Sequence, residues 1–161
     1  MNKEMVRDLF EYRDDNLWWR ERPAYRVDMS KPAGSVTSKG YRRIRVKGKL
    51  YQAHRLIWLY VYGEFPEGQI DHINGRPSDN RIENLRDVTH QENNKNACKR
   101  KDNTSGHAGV GWHKHREKWH ARIKLDGVTK HLGLFNVLED AVAARQAANI
   151  EHGFHENHGR D

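Results

Sequence analysis

The residue types best suited to chemistry lie together in the middle of the chain. Carboxylate, imidazole and amide side chains occur between residues 71 and 96 without any repeat. Asp71 and an amide oxygen such as that of Asn93 are hard ligands of the kind Mg²⁺ takes while it keeps several waters. If the backbone is extended at Asp71 and His72, their side chains point to opposite sides of the strand. His72 can then accept a proton from water near neutral pH. A metal beside a phosphate stabilises the leaving oxygen, so the parts needed for phosphodiester hydrolysis are present.

Each of these residues also has a structural interpretation. An Asp–His pair in a polar loop can be a satisfied hydrogen-bond pair without any catalytic role. His54 either touches a phosphate or packs between a hairpin and a helix. Three arginines either hold phosphates or pair with acidic neighbours, and we favour Arg81 as the functional one. The arginines are Arg55, Arg81 and Arg86, and the acidic neighbours are Glu83 and Asp87.

Two elements are predicted immediately before this stretch. Apolar residues between Tyr41 and Tyr51 flank Lys47-Gly48-Lys49, which predicts a β-hairpin with a glycine turn. Residues 53–62 carry apolar side chains at spacings of three and four, which predicts a helix. Gly63 is expected to end that helix.

Further elements are predicted at both sides of this region. A small helix within residues 5–12 is followed by a strand at residues 17–19, whose two tryptophans are expected to cover a core. Thr89 and Glu92 form a capping-box pattern. They predict a helix that runs through Asn93 toward Lys99.

The chain after this helix has the composition of a linker and then of a second domain. Residues 99–106 are basic and polar, with no large apolar side chain. Three strand-like segments at 109–114, 119–125 and 129–135 precede an alanine-rich helix over about 138–152. This order predicts a three-stranded antiparallel sheet packed on one helix. The predicted limits are a first domain at 1–98, the linker at 99–106, a second domain at 107–153, and a polar, fraying tail at 154–161.

The middle predicted strand has one apolar and one basic face. Apolar and basic residues alternate along it, and successive side chains of a strand point to opposite faces. The apolar face is expected to pack on the helix, and the basic face to meet DNA phosphates and bases or simply to be solvated. The apolar residues are Trp119, Ala121, Ile123 and Leu125, and the basic ones are His120, Arg122 and Lys124.

Charge, apolar content and cysteine content indicate which class of partner and which compartment to expect. The formal net charge is +7 and the pI is about 9.6, which favours a polyanion, with nucleic acid ahead of an anionic membrane. No apolar run approaches the roughly 20 residues of a membrane span. Cys98 stands alone, so an intrachain disulfide and a zinc site of paired cysteines are excluded, and Cys98 itself is expected to be inert. The charged N-terminus lacks a signal-peptide core, so the expected compartment is a reducing cytoplasm.

A set of polar residues at unusual spacings resembles the HNH endonuclease motif, closest to the phage and intron-encoded homing branch. The resemblance covers about Gly40 to Asn96 and includes a His-Arg-Leu helix ahead of the motif. The matching segments are Tyr51 to Leu56, Asp71-His72-Ile73-Asn74-Gly75, Asp79-Asn80-Arg81, Asn84-Leu85-Arg86, Thr89 and Glu92-Asn93.

The resemblance implies a ββα-metal fold and roles for four of the matching residues. His72 is implied as the general base, and Asn84 as the amide that pins the loop through backbone hydrogen bonds. Asp71 and Asn93 are implied as metal ligands, with Asn93 where many members have a final histidine. Such an oxygen site prefers Mg²⁺ or Mn²⁺ to zinc. Asn96 is a reserve candidate for the second metal ligand. His90 is expected to be a surface or DNA-contacting histidine.

The segment from about Ser105 to Gly153 resembles the AP2 DNA-binding domain. The resemblance rests on Gly109 to Trp112, Lys118 to Ile123, His131 to Phe135, Glu139 to Ala141 and Ala147-Ala148. It implies a three-stranded sheet lying in the major groove. Gly111 stands where relatives have a basic residue, so base contacts are expected to differ. The positions carried over as DNA contacts are Trp112, Arg116, Lys118, Arg122 and Lys124.

Together these observations predict an α+β protein: a ββα-metal HNH core followed by an AP2-like domain. The predicted function is that of a Mg²⁺-dependent, site-recognising homing-type endonuclease that nicks or cuts double-stranded DNA. It is expected to be a monomer without an obligate protein partner, in a bacterial or phage-infected cell. One alternative is a non-catalytic DNA-binding regulator on an HNH scaffold, and another is a protein that binds or cleaves RNA.

Overall fold

The computed structural model describes residues 1–99 and 101–160, and its chain divides into two compact units. The N-terminal unit is Met1–His90 and the C-terminal unit is Gln91–Asp161. Within the described residues, small antiparallel sheets and four α-helices give the α+β fold that the sequence predicts. No helix in this part of the chain is long and apolar enough to cross a membrane.

The N-terminal unit begins with a helix and a hairpin. Helix α1 (Lys3–Leu9) starts after Asn2, whose side chain accepts a hydrogen bond from the Met5 backbone N–H, the usual N-cap arrangement. Strands β1 (Phe10–Arg13) and β2 (Asn16–Trp19) then pair antiparallel. The sequence predicts only the second of these strands, because the last residues of its expected helix are in fact β1.

The next hairpin and helix follow the prediction closely. Strand β4 (Arg42–Val46) lies between β3 (Ser35–Val36) and β5 (Lys49–Gln52). The turn between β4 and β5 has positive φ at Lys47 (47°) and Gly48 (82°), as a type I′ hairpin turn requires. Helix α2 (Ala53–Tyr62) ends at Gly63, which is left-handed with φ of 96°.

The core of the N-terminal unit lies between α1, α2 and these small sheets. It consists of fully buried aliphatic side chains and one aromatic ring, with tyrosines and tryptophans packed around them. Trp19 is one of these surrounding residues, and its ring centroid lies 4.4 Å from that of Phe10. The buried residues include Val6, Phe10, Leu17, Ile44, Val46, Leu56, Ile57 and Leu59.

A third hairpin carries the polar stretch and is followed by a short helix. Strands β6 (Gln69–His72) and β7 (Leu85–Val88) pair antiparallel, and a 3₁₀ turn at Ile82–Asn84 leads into β7. Helix α3 (His90–Asn94) comes next, which gives the predicted ββα order. The helix is shorter than expected, because the backbone N–H groups of Asn96 and Ala97 turn back to carbonyls three residues earlier.

The C-terminal unit has the predicted sheet and helix. Strands β8 (Val110–His113), β9 (Lys118–Leu125) and β10 (Val128–Phe135) form an antiparallel sheet in the order β10-β9-β8. Helix α4 (Leu138–Glu151) packs on this sheet. Its core is small: Val110, Ala121 and Ala141, with Trp119, Leu132, Phe135, Leu138 and Val142 packed against them.

The last residues of the chain are held rather than frayed. The His155 N–H donates to the Lys95 carbonyl, the Gly159 N–H to that of Ala97, and the Lys99 N–H to that of Arg160. In the structure, residues 95–99 therefore belong with the C-terminal unit, although the sequence predicts 95–98 within the first domain. Arg100 of the predicted linker and Asp161 lie outside the described residues.

Candidate functional site

Strand β6 sends Asp71 and His72 to opposite faces of the β6–β7 hairpin. Asp71 lies opposite Arg86 and His72 opposite Leu85. One oxygen of Asp71, Oδ2, accepts hydrogen bonds from Arg86 Nε at 2.8 Å and Nη2 at 2.7 Å. The two residues are almost fully buried, with 6% of Asp71 and 4% of His72 exposed. The extended Asp–His arrangement that the sequence analysis assumed is therefore confirmed.

The His72 ring is held by a buried amide and two aromatic neighbours. Its Nε2 lies 3.2 Å from Asn80 Oδ1, and Asn80 is 2% exposed. The ring meets His54 edge to face at 5.2 Å between centroids and Tyr41 at 5.9 Å. Because Asn80 Oδ1 is an acceptor, this network assigns the hydrogen to Nε2 and makes Nδ1 the basic nitrogen.

Burial lowers the pKa of His72 below its usual value of 6.5. The hydrogen bond to Asn80 and the carboxylates of Asp71 and Asp79 oppose this shift but do not reverse it. The imidazole is therefore neutral near neutral pH, which is the protonation state that a general base needs.

The loop after His72 is closed by the side chain of Asn84. Its Oδ1 accepts from the Asn74 backbone N–H at 3.0 Å, and its Nδ2 donates to the Asp79 carbonyl at 2.8 Å. The Ile73 N–H also donates to the Asn84 carbonyl at 2.9 Å. A single amide thus ties both ends of the loop that runs from His72 to Asn80. Backbone hydrogen bonds of this kind are what the HNH resemblance implies for Asn84.

Asn80 and Tyr41 are two site residues to which the sequence analysis gave no role. Asn80 belongs to the polar run between residues 71 and 96, but no spacing rule shows that its amide meets His72. Tyr41 lies in the predicted hairpin, and nothing in the local pattern marks a contact with His72. In both cases the contact depends on how the loop closes and how two hairpins pack, and neither is visible in a local pattern.

His54 is buried beside His72. It is 7% exposed, and its ring lies 5.8 Å from that of Tyr41. Burial, with smaller contributions from His72 and Arg55, lowers the pKa of His54 to about 3. A neutral, enclosed imidazole favours the packing interpretation over a phosphate contact.

The three arginines near the motif have partners other than those the sequence suggested. Arg55 donates to the carbonyls of Gly68 and Pro66, and Arg86 pairs with Asp71. Arg81 makes two hydrogen bonds to Asp79, at 2.9 and 2.8 Å. Asp87 instead accepts from the backbone N–H groups of Glu67 and Gly68. The Arg81 side chain remains 55% exposed, so it keeps surface toward solvent.

The predicted metal ligands are divided between the two units. Asp71 lies in the N-terminal unit, and Asn93 in helix α3 belongs to the C-terminal unit. Residues 1–99 and 101–160 contain no cluster of three or more His, Cys, Asp or Glu side chains suited to a metal. The donor chemistry of one carboxylate with an amide oxygen nonetheless fits a hard cation that keeps several waters.

Asn96 and His90, two further polar residues near the motif, have partners within the protein. Asn96 is 2% exposed, and its Oδ1 accepts from Arg160 Nη1 at 3.0 Å. His90 Nδ1 lies 3.3 Å from Gln69 Nε2. Both residues are therefore engaged within the protein.

The sheet of the C-terminal unit has the predicted apolar and basic faces. Along β9, Ala121 and Ile123 are buried whereas Arg122 and Lys124 are exposed. Lys118 lies on the same face as these two by the two-residue period of a strand. Arg116 ends an exposed 3₁₀ turn between β8 and β9.

Trp112 lies on the other face of this sheet. It is directly opposite Trp119 in the ladder, and residues opposite each other share a face. The two rings are 5.1 Å apart between centroids, and Trp112 is 46% exposed. The structure therefore does not bring Trp112 together with Arg122 and Lys124.

Comparison with known proteins agrees with the geometry around His72. A family model described as HNH endonuclease matches residues 51–95, which contain helix α2, the β6–β7 hairpin and helix α3. The site thus belongs to an HNH endonuclease domain, and this supports a nuclease role in general.

A curated relative extends the similarity beyond this domain. The chain is 35% identical over 92 residues to Protein 3.8 of Escherichia phage T7, across 56% of this chain and 76% of the relative. The chain belongs to the same family as Protein 3.8. No solved structure gives a significant match.

Proposed function

We propose that this protein is a metal-dependent DNA endonuclease that hydrolyses phosphodiester bonds with His72 as the general base. The observation that carries the proposal is the state of His72 itself: a buried imidazole with a lowered pKa, oriented by a buried amide, within the part of the chain that matches HNH endonucleases. A base positioned and kept neutral in this way accepts the proton of an attacking water.

Asn84 and Asn80 act as positioning residues in this proposal. Asn84 holds the Asp79 carbonyl, and the next residue, Asn80, holds His72 Nε2. The amide of Asn84 is thus linked to the orientation of the imidazole through one peptide unit. Asn80 also selects the tautomer, because a hydrogen on Nε2 leaves Nδ1 to take the proton.

Asp71 and Asn93 would hold the divalent ion, with Mg²⁺ favoured and Mn²⁺ the alternative. When bound, the ion supplies stabilisation of negative charge on the phosphate. The Asp71 carboxylate lies in a buried position, where Arg86 fixes its Oδ2. These ligands suit oxygen-loving cations, and they give no reason to expect zinc.

The C-terminal unit is proposed as the domain that holds the target site, in the manner of an AP2 domain. Four basic residues are proposed to contact double-stranded DNA, and Arg81 of the N-terminal unit is proposed to contact a phosphate. Trp112 is left out of this set because it shares a face with Trp119. The protein would then be a site-recognising, homing-type enzyme acting as a monomer in the cytoplasm of a bacterial or phage-infected cell. The four basic residues are Arg116, Lys118, Arg122 and Lys124.

The domain limits proposed from the sequence assign hydrolysis and DNA binding to different parts of the chain. Residues 1–98 would carry the nuclease chemistry and 107–153 the DNA-binding sheet, with the linker at 99–106 and the tail at 154–161. The N-terminal compact unit ends at His90, so most of helix α3 belongs with the sheet domain, and limited proteolysis is the measurement that locates the boundary.

The direct test is cleavage of a supercoiled plasmid that carries DNA from the genome encoding the protein. Wild type and His72→Ala are compared with Mg²⁺, with Mn²⁺ and with EDTA. Metal-dependent nicking or linearisation that disappears in the variant supports both the reaction and the base. Cleavage that persists unchanged in His72→Ala would remove His72 from this role.

A DNA-binding regulator without catalysis is the second candidate function. The observation that favours it is the Asp71–Arg86 ion pair. A carboxylate that is already neutralised by an arginine is what we expect in an HNH scaffold that is kept without catalysis. This candidate predicts tight duplex binding and no cleavage with any of the tested metals. A preference for RNA over duplex DNA of the same sequence would instead support the RNA-binding alternative.

A further inference from the structure

A small polar cavity lies within the C-terminal unit, beside helix α4. Its volume is about 110 Å³, several times the space that one water needs. It is lined by α4, by the segment before β8 and by the end of the chain. Its lining includes the side chains of Arg145, Asn149 and His158.

Arg145 is a buried guanidinium without a counter-ion. It is 6% exposed, and among residues 1–99 and 101–160 no carboxylate pairs with it. Its Nη1 donates to the Arg122 carbonyl and its Nη2 to His158 Nε2 at 3.1 Å, both of which are neutral acceptors. The ring of Phe154 lies 5.2 Å from its Cζ. Burial lowers the pKa of Arg145, but an arginine stays charged in proteins.

Three buried polar atoms of the cavity residues have no hydrogen-bond partner. They are Arg145 Nε, Asn149 Oδ1 and His158 Nδ1. Unpartnered buried polar atoms are rare in native proteins and call for a bound water or ion. The Asn149 amide makes no hydrogen bond with any described residue, so either end can face a ligand. The amide and the guanidinium can therefore both act as donors.

The position of the guanidinium is fixed by its surroundings. A Cβ at Gly109 would lie 2.7 Å from Arg145 Nη1 and 2.5 Å from the Arg122 carbonyl oxygen, and Gly109 has a φ of 78°. Glycine is thus required for this close approach. Burial and the charge of Arg145 lower the pKa of His158 to about 4, so His158 accepts from Arg145 without adding a second positive charge.

We infer that this cavity is a binding site for a phosphate group. A buried cation with an unused N–H and an amide donor one helical turn away suits a tetrahedral oxyanion. The charge of the ligand would supply the counter-ion that the protein lacks. The group can come from a free phosphate compound or from a DNA backbone, and the chemistry of recognition is the same for both.

The test measures the thermal unfolding midpoint of the full-length protein as inorganic phosphate replaces chloride at constant ionic strength. A ligand that binds only the native state raises this midpoint as its concentration exceeds Kd, and we expect a rise of several degrees. Arg145→Met should lose the rise. Lys130→Met removes an exposed positive charge from the same unit and should keep the wild-type response.

A second variant keeps the proposal testable if Arg145→Met does not fold. Asn149→Asp changes few atoms and places a carboxylate four residues from Arg145 on α4, where the two side chains are neighbours. We expect a higher midpoint in chloride and no further rise with phosphate, because the counter-ion is now internal. A wild type indifferent to phosphate, or an undiminished response in both cavity variants, overturns the proposal.

Two additional arms identify the source of the phosphate and separate this site from the nuclease. If a saturating short duplex removes the phosphate response and Arg145→Met weakens duplex binding, the ligand is a backbone phosphate. If the response persists with duplex bound, the ligand is a free phosphate compound. His72→Ala should respond to phosphate as wild type does, so loss of cleavage and loss of phosphate binding are independent results.

Discussion

In the N-terminal unit the arginines around the motif are engaged by the protein itself, whereas in the C-terminal unit the basic side chains of β9 stand in solvent. Arg55 reaches two carbonyls, Arg81 a carboxylate, and Arg86 the buried Asp71. By contrast, Arg122 and Lys124 are exposed on the face opposite α4. Both units are rich in basic residues, so the difference lies in what those residues are used for.

The same contrast holds for the buried polar residues. The N-terminal unit buries His54, Asp71, His72, Asn80 and Asn84 around one loop. Most of these side chains contact another member of the group, so each helps to fix the next. Such a network suits a site that must hold one geometry. An exposed basic sheet suits a partner that is attracted over a distance and held mainly through its phosphates.

The largest expected effect is on catalysis by the N-terminal unit. His72→Ala should lower the cleavage rate by about 10³-fold, within the range for loss of a positioned general base. Duplex affinity, measured by fluorescence anisotropy, should stay within a factor of about two, because the basic sheet is untouched. Loss of both cleavage and binding in this variant would mean that the two units do not divide the work as described.

The second prediction concerns the buried His54. Its folded-state pKa of about 3 lies below the 6.5 of an unfolded histidine. The unfolded chain therefore takes up a proton below pH 6.5 while the folded protein does not. Stability is fully present above pH 6.5 and is lost as the pH falls toward 3. At pH 4.5 this loss is about 3 kcal/mol relative to neutral pH.

His54→Phe removes this titration while it keeps an aromatic ring against Tyr41. The free energy of urea unfolding should fall between pH 7 and pH 4.5 by about 3 kcal/mol less in the variant than in wild type. His155→Phe, a partly buried histidine of the C-terminal unit, is the matched control. If His54→Phe shows the same acid sensitivity as wild type, His54 is not held neutral by burial.

The third prediction tests the exposed basic face. The double variant Arg122→Gln/Lys124→Gln should weaken duplex binding by about tenfold and reduce the slope of log affinity against log salt by about 2, one for each lost phosphate contact. Cleavage at saturating enzyme should persist. An unchanged salt slope would show that this face is only solvated, as the sequence left open.

Local features of this fold follow from the sequence more directly than non-local ones. The β4–β5 turn and the end of α2 follow from Gly48 and Gly63, because a glycine at a turn or helix end specifies the backbone directly. Helix α3 is shorter than predicted, because a capping box marks where a helix starts and carries no information about where it ends. The closure of the His72 loop by Asn84 was implied by the family resemblance, whereas the contact between Asn80 and His72 required the folded loop.

The fourth and smallest effect concerns Trp112, where resemblance and register disagree. The AP2 resemblance assigns Trp112 to DNA, but the ladder puts it opposite Trp119 on the side of the sheet that packs on α4. The residue type is right for a DNA contact, and only the strand register reveals which face it occupies.

Trp112→Ala should therefore change duplex affinity by less than about threefold, although it removes an aromatic contact with Trp119 and should lower stability by about 1 kcal/mol. Anisotropy and thermal unfolding of the same preparation separate the two effects. A loss of affinity comparable to that of the Arg122/Lys124 double variant would mean that DNA reaches both faces at the β8 edge of the sheet. The AP2-derived assignment would then hold in spite of the register.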